Sequence, residues 1–233
     1  MGTSTARRGP STAAWRWAKG SATRYMSPEG ATAVEAREVV SRYVAALQET
    51  GAAQSQDLLA EFRLTRKAAQ SLGEFAHRVA ESGWAAALEA QGLAALSKAS
   101  PEAAVSGLAA NWVEDHDSLE AQVARTSLTK CLRKVFAAET GKESRVSEPE
   151  LVRTFLAEVL CQRLVFDLGE SLEAAAPGWS EYHQGLARLE DELQRAGPET
   201  LGDPPKSGQW QGLAGWVLVT EVLKNILRGF QEL

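Results

Sequence analysis

Apolar residues recur at three- and four-residue intervals along almost the whole chain, and this spacing constrains the fold more than any other property of the sequence. It gathers side chains on one stripe of an α-helix, whereas a half-buried strand needs strict alternation. Residue types agree with the spacing: alanine is abundant and isoleucine occurs once, at Ile226, which favours helix over sheet. With 233 residues, 44% of them hydrophobic and 24% charged, the chain can bury a sizeable core and lacks the signature of a disordered protein. The expected fold class is all-α, an irregular helical bundle of about seven to nine helices with a flexible basic N-terminal arm.

Start and stop residues divide the pattern into elements. Ser11 is positioned to cap a short helix over residues 11–25, with Trp15, Ala18, Ala22 and Tyr25 on one face. Ser27-Pro28-Glu29-Gly30 breaks it, and a second helix over 32–50 turns Val39, Val40, Tyr43, Ala46 and Leu47 inward. Residues 55–81 carry Leu58, Phe62, Leu72, Phe75 and Val79 on a helical period, with Gly73 weakening the middle and Gly83 opening a short helix over 84–90. Ser100-Pro101 starts a helix to 113, and Asp117 with Glu120 has capping-box spacing ahead of another ending at 139. Ser147-Glu148-Pro149-Glu150 is the clearest start in the chain, combining a Ser/Glu capping box, an early proline and acids at the positive end of the helix dipole. The helix beyond it is apolar on most sides, so it is expected to be central. An amphipathic helix over 180–196 follows, then a Pro/Gly loop at 197–208 and a last helix over 210–230. The expected organisation is an arm over residues 1–30, a mobile tail plus a short helix, and a bundle over 31–233.

Charge is distributed unevenly along this framework. Arg7, Arg8, Arg16, Lys19 and Arg24 precede the first acid, Glu29, while the whole chain carries a formal −5, so the remainder holds −10. A cationic arm on an acidic body suits contact with phosphate or with an acidic protein. An acidic body argues against sequence-specific DNA reading as the main task, because phosphate attraction supplies most of the affinity in such proteins.

Motifs for chemistry are missing from the body. Lys19-Gly20-Ser21 does not make a P-loop, and no G-x-G-x-x-G occurs. His77, His116 and His183 lie far apart without H-E-x-x-H spacing, and Asp115-His116-Asp117 reads as a turn between helices, not a metal site. Cys131 and Cys161 sit among leucines and valines as small hydrophobes, and two cysteines fit a reducing compartment. Glu158 and Asp167 are about two and a half helical turns apart, too far for an acid/base pair. No apolar run reaches the ~18 residues of a membrane span. These readings predict a cytoplasmic protein that is not an enzyme, with no catalytic residue, metal or cofactor.

The N-terminus is different. In Met1-Gly2-Thr3-Ser4, removal of the methionine exposes the Gly2 α-amine, whose pKa of about 7.7–8.0 leaves it partly neutral and nucleophilic near neutrality. Ala6 stands where myristoylation needs Ser or Thr. This opening, with Gly9-Pro10, Trp15, Ala18-Lys19 and Ala22-Thr23-Arg24-Tyr25, resembles the start of the QatB proteins of bacterial Qat antiphage systems. The resemblance covers about the first twenty-five to thirty residues and implies a non-catalytic component acting with a QueC-like enzyme, a P-loop ATPase and a TatD-like nuclease. It further implies that Gly2, Thr3 and Ser4 form a tail that the QueC-like enzyme recognises, with Gly2 the position open to deazaguanylation. The competing reading is a helical scaffold that binds nucleic acid through Arg7, Arg8, Arg16, Lys19 and Arg24.

Overall fold

A computed structural model describes residues 12–28, 34–53, 58–114, 117–141, 146–195 and 209–231. Eight α-helices account for most of them: α1 (Ala13–Met26), α2 (Ala36–Ala53), α3 (Arg63–Ala90), α4 (Pro101–Trp112), α5 (Leu119–Glu139), α6 (Glu148–Ala175), α7 (Trp179–Arg195) and α8 (Gly212–Arg228). Short 3₁₀ segments at Leu58–Phe62 and Ala94–Lys98 complete the regular structure, and no strand occurs among the described residues. The fold is therefore the all-α bundle that the spacing predicts. Among the described residues no helix is long and apolar enough to cross a membrane.

Helix α6 is the hub. It packs against α1, α3, α5, α7 and α8, and residues all round it, among them Leu151, Val152, Phe155, Leu156, Val159, Leu160, Leu164 and Leu168, are buried. A helix apolar on most of its circumference has this as its stable solution, since each exposed Leu or Phe would forgo about 1.5–3 kcal/mol of burial. Around α6, α1 and α2 form one side with α7, while α3, α4, α5 and α8 form the other.

Local boundaries follow the sequence with instructive departures. α1 is capped by Thr12, not Ser11, its hydroxyl accepting the Trp15 N–H at 3.5 Å. The segment expected to continue helically from Ser55 is instead the 3₁₀ turn at Leu58–Phe62, and α3 begins after it, at Arg63. Gly83 breaks α3 as expected, with φ 84° and ψ 166° inside an otherwise continuous helix. Asp117 does not cap α5. Ser118, one residue closer, accepts the Ala121 N–H at 3.1 Å, and Glu120 instead accepts the backbone N–H of Thr65 at 2.8 Å. At α6, Ser147 is the N-cap by conformation but its side chain makes no capping bond. The loop expected at 197–208, like Asp115 and His116, lies outside the described residues.

Candidate partner-binding surface

Gly2, Thr3, Ser4, Arg7 and Arg8 lie outside the described residues. The other predicted contacts, Arg16, Lys19 and Arg24, are on α1, and the way α1 is seated fixes their direction. Its inner stripe, Trp15, Ala18, Ser21, Ala22, Tyr25 and Met26, is buried against α2, α6 and α7. The Trp15 indole N–H donates to Thr50 Oγ1 at 2.7 Å and its ring meets Tyr43 edge-on, 5.9 Å between centroids. At the other end the Tyr25 hydroxyl donates to the Gly185 carbonyl of α7 at 3.0 Å and accepts from Arg188 Nε at 3.1 Å. Trp15 and Tyr25, from the apolar face that the spacing predicts, thus anchor α1 to the bundle itself.

No acid lies in the first turn of α1. Glu49 of α2 takes that place, its Oε2 accepting the Thr12 hydroxyl and the Ala14 N–H, both at 3.1 Å. A carboxylate there satisfies an orphan N–H and complements the positive end of the dipole. Thr12 is half-buried and Ala13 exposed, so the helix begins at the molecular surface.

The outer face of α1 is cationic. Arg16 and Arg24 are exposed and Lys19 is half-exposed. Next to Arg16 in the chain, Trp17 is 64% exposed, with the Arg42 guanidinium of α2 5.4 Å from its ring centre. Glu38 lies 3.9 Å from Arg24 and 3.8 Å from Arg42, whereas Arg16 and Lys19 have no ion pair among the described residues. Sequence reasoning identified the three cations of α1 and missed Trp17 and Arg42. Trp17 had one available signal, its place off the apolar stripe of α1; the approach of Arg42 needs the α1–α2 packing to be seen.

Several other titratable groups form internal networks. Lys130 of α5 donates to Glu158 of α6 at 2.7 Å and to Glu190 of α7 at 2.6 Å. Burial alone would lower the Lys130 pKa, but its bonds to the two carboxylates outweigh that and raise it. Asp167 accepts the Tyr43 hydroxyl at 2.8 Å and Arg163 Nε at 3.1 Å, and burial followed by the Asp167 charge pushes Tyr43 well up. Glu158 and Asp167 therefore belong to separate clusters. Burial raises the thiols of Cys131 and Cys161 to about 12, which keeps them protonated and poor nucleophiles. Among the described residues no group of three or more His, Cys, Asp or Glu side chains is arranged to hold a metal ion.

With this geometry in view, comparison with known proteins gives one result. A family model described as Qat anti-phage system associated protein QatB matches residues 51–196, the stretch from the end of α2 through α7. The matched part is the helical body, while the N-terminal residues that carry the resemblance lie ahead of it. No curated protein and no solved structure matches the chain.

Proposed function

The chain belongs to the QatB family of Qat anti-phage system proteins, and from that premise we propose that it is a non-catalytic component whose N-terminal tail is recognised and modified by a QueC-like partner enzyme. The match over residues 51–196 carries this reading. In it, the arm, residues 1–30, presents the Gly2 amine from the tail ahead of α1, a helix that is itself packed on the bundle, and the bundle, residues 31–233, docks the P-loop ATPase and the TatD-like nuclease of the same system in the cytoplasm. The chemistry suits an α-amine. A carboxylate activated by ATP as its adenylate is attacked by the uncharged nitrogen of Gly2, an amide bond forms, AMP leaves with the bonding electrons, and the nitrogen gives up a proton. Lysine amines, with pKa near 10.4, are almost wholly protonated at neutrality and compete poorly. Thr3 and Ser4 are small enough for a narrow channel and supply hydroxyls for recognition.

The test is an intact-mass measurement on the protein co-expressed with its system neighbours. A mass above that of the methionine-free chain, with the added group mapped to Gly2, is the expected result. An unchanged mass overturns the modification.

A further inference from the structure

The geometry points to the outer face of α1, centred on Trp17, as a docking surface for an acidic protein partner, in which Trp17 fills an apolar pocket and Arg16, Lys19, Arg24 and Arg42 meet carboxylates around it. This inference rests on the reading that a partner enzyme engages the tail, and it identifies where that partner is held.

Four observations converge on it. First, a tryptophan left 64% exposed on a well-packed helix forgoes burial that Trp15, two residues earlier, obtains in full. A single exposed apolar residue needs no explanation, but this one carries the Arg42 guanidinium at its face, and Arg16 and Arg24 are exposed on the same helix. Tryptophan and arginine are the residues most enriched where a few side chains carry most of a protein interface's affinity. Second, α1 contains no acid at all, and Arg16 and Lys19 are unpaired among the described residues, so the face asks for negative charge from outside. Third, α1 is clamped at both ends by Trp15 and Tyr25, so little conformational entropy is lost when a partner binds. Fourth, the chain from Gly2 to Ala13 spans at most about 40 Å even fully extended, which keeps any enzyme gripping Gly2 within reach of this face.

The extent of the patch favours protein over nucleic acid. A phosphate chain is held by a succession of cations, each releasing counterions. Here the cations cluster on a helix about 21 Å long, with Glu38 among them and Glu49 at its start. In its second half, Thr23 lines a cleft with Glu170. A strand running the length of α1 would pass all of these carboxylates, whereas a compact partner need only match the individual cations.

Binding of the purified QueC-like enzyme to the full chain, measured by calorimetry over a range of salt, tests this. Trp17→Ala should weaken binding by about ten- to thirty-fold, as loss of a central anchor does. The pair Arg16→Glu and Lys19→Glu should weaken it as well and flatten its salt dependence. Trp179→Ala, at an even more exposed tryptophan (71%) on α7, should stay within about two-fold. Circular dichroism and melting of each variant should match the parent chain. Equal binding by parent and Trp17→Ala overturns the proposal, as does absence of binding by the parent chain. Loss of binding to a 20-nucleotide oligomer with enzyme binding intact also overturns it, in favour of nucleic acid. Failure of the underlying reading looks different. If Trp17→Ala weakens docking but the parent chain gains no mass after prolonged incubation with enzyme and ATP, the surface stands and the modification falls. If the parent is modified and Trp17→Ala is modified at the same enzyme concentrations, the reverse holds.

Discussion

The indole N–H of Trp210 donates to Glu148 Oε2 at 2.7 Å, while Oε1 of the same carboxylate lies 2.9 Å from His77 Nδ1. One side chain in the first turn of α6 therefore fastens both α3 and the approach to α8. Trp210 is 1% exposed, so removing its acceptor leaves a buried donor without a partner. Glu148→Ala should lower unfolding free energy by about 1–3 kcal/mol. Glu148→Gln retains an acceptor for the indole and should cost less. Urea denaturation of the two variants, followed by tryptophan fluorescence, separates these outcomes.

Gly73 gives the same indole its seat. A Cβ placed there would come within 2.4 Å of the Trp210 ring, so the gain of about 1 kcal/mol in helix propensity expected for Gly→Ala is outweighed by overpacking. Gly73→Ala should destabilise by about 1–3 kcal/mol. Combined with Trp210→Ala, the same substitution should become neutral or stabilising, and a double-mutant cycle reads the difference directly.

Gly83 occupies φ 84° and ψ 166°, a region that side-chain-bearing residues adopt only under strain. Gly83→Ala should cost about 1–3 kcal/mol. The loss should fall chiefly on the second half of α3, where Trp84 packs edge-on against Phe75 and Phe136, and hydrogen exchange of residues 84–90 should report it.

Lys130 neutralises a carboxylate, Glu158, whose side chain is 3% exposed. Lys130→Met leaves that charge buried without its counter-ion, an error that costs about 3–5 kcal/mol in a sealed site. Because Lys130 is itself 45% exposed and solvent screens the pair, the lower end of that range is expected. Adding Glu158→Gln should recover much of the loss, since an unpaired charge and not a missing attraction is the main penalty.

Alkaline pH should destabilise the fold through Cys131 and Cys161. Their folded thiols are held near 12 by burial, against about 8.5 in an unfolded chain. The folded state keeps protons that the unfolded state releases, so the contribution is complete below about pH 8.5 and declines as pH rises towards the folded value. Lys130 acts in the same sense at higher pH, since its pKa is raised as well. Stability measured from about pH 8 to 10 should fall, and Cys131→Ala with Cys161→Ala should flatten the slope. In the native protein both thiols should resist iodoacetamide and become reactive on unfolding.

The sequence made helix number, order and inward faces legible because each depends on local spacing. Val39, Val40, Tyr43, Ala46 and Leu47 are all buried as the period predicts, and the break at Gly83 follows from a residue that readily leaves helical geometry. What was illegible is the identity of partners across the fold. Glu148 reads locally as half of a capping box, yet its carboxylate is claimed by His77 and Trp210. Glu120 reads likewise and serves Thr65 instead. Gly73 looks like a weakness until Trp210 is seen against it. On the surface, Arg16, Lys19 and Arg24 were evident from composition, while the pairing of Trp17 with Arg42 depends on how α1 and α2 lie together.

The bond from the Tyr25 hydroxyl to the Gly185 carbonyl joins positions 160 apart in sequence, and with Trp15 bound to Thr50 it makes α1 a closing stave of the barrel of helices. Any truncation meant to strip away only the cationic lead must therefore stop before Thr12. One that runs on to residue 26 takes out part of the wall, and a loss of binding after such a cut reports collapse of the bundle, not the removal of a recognition element.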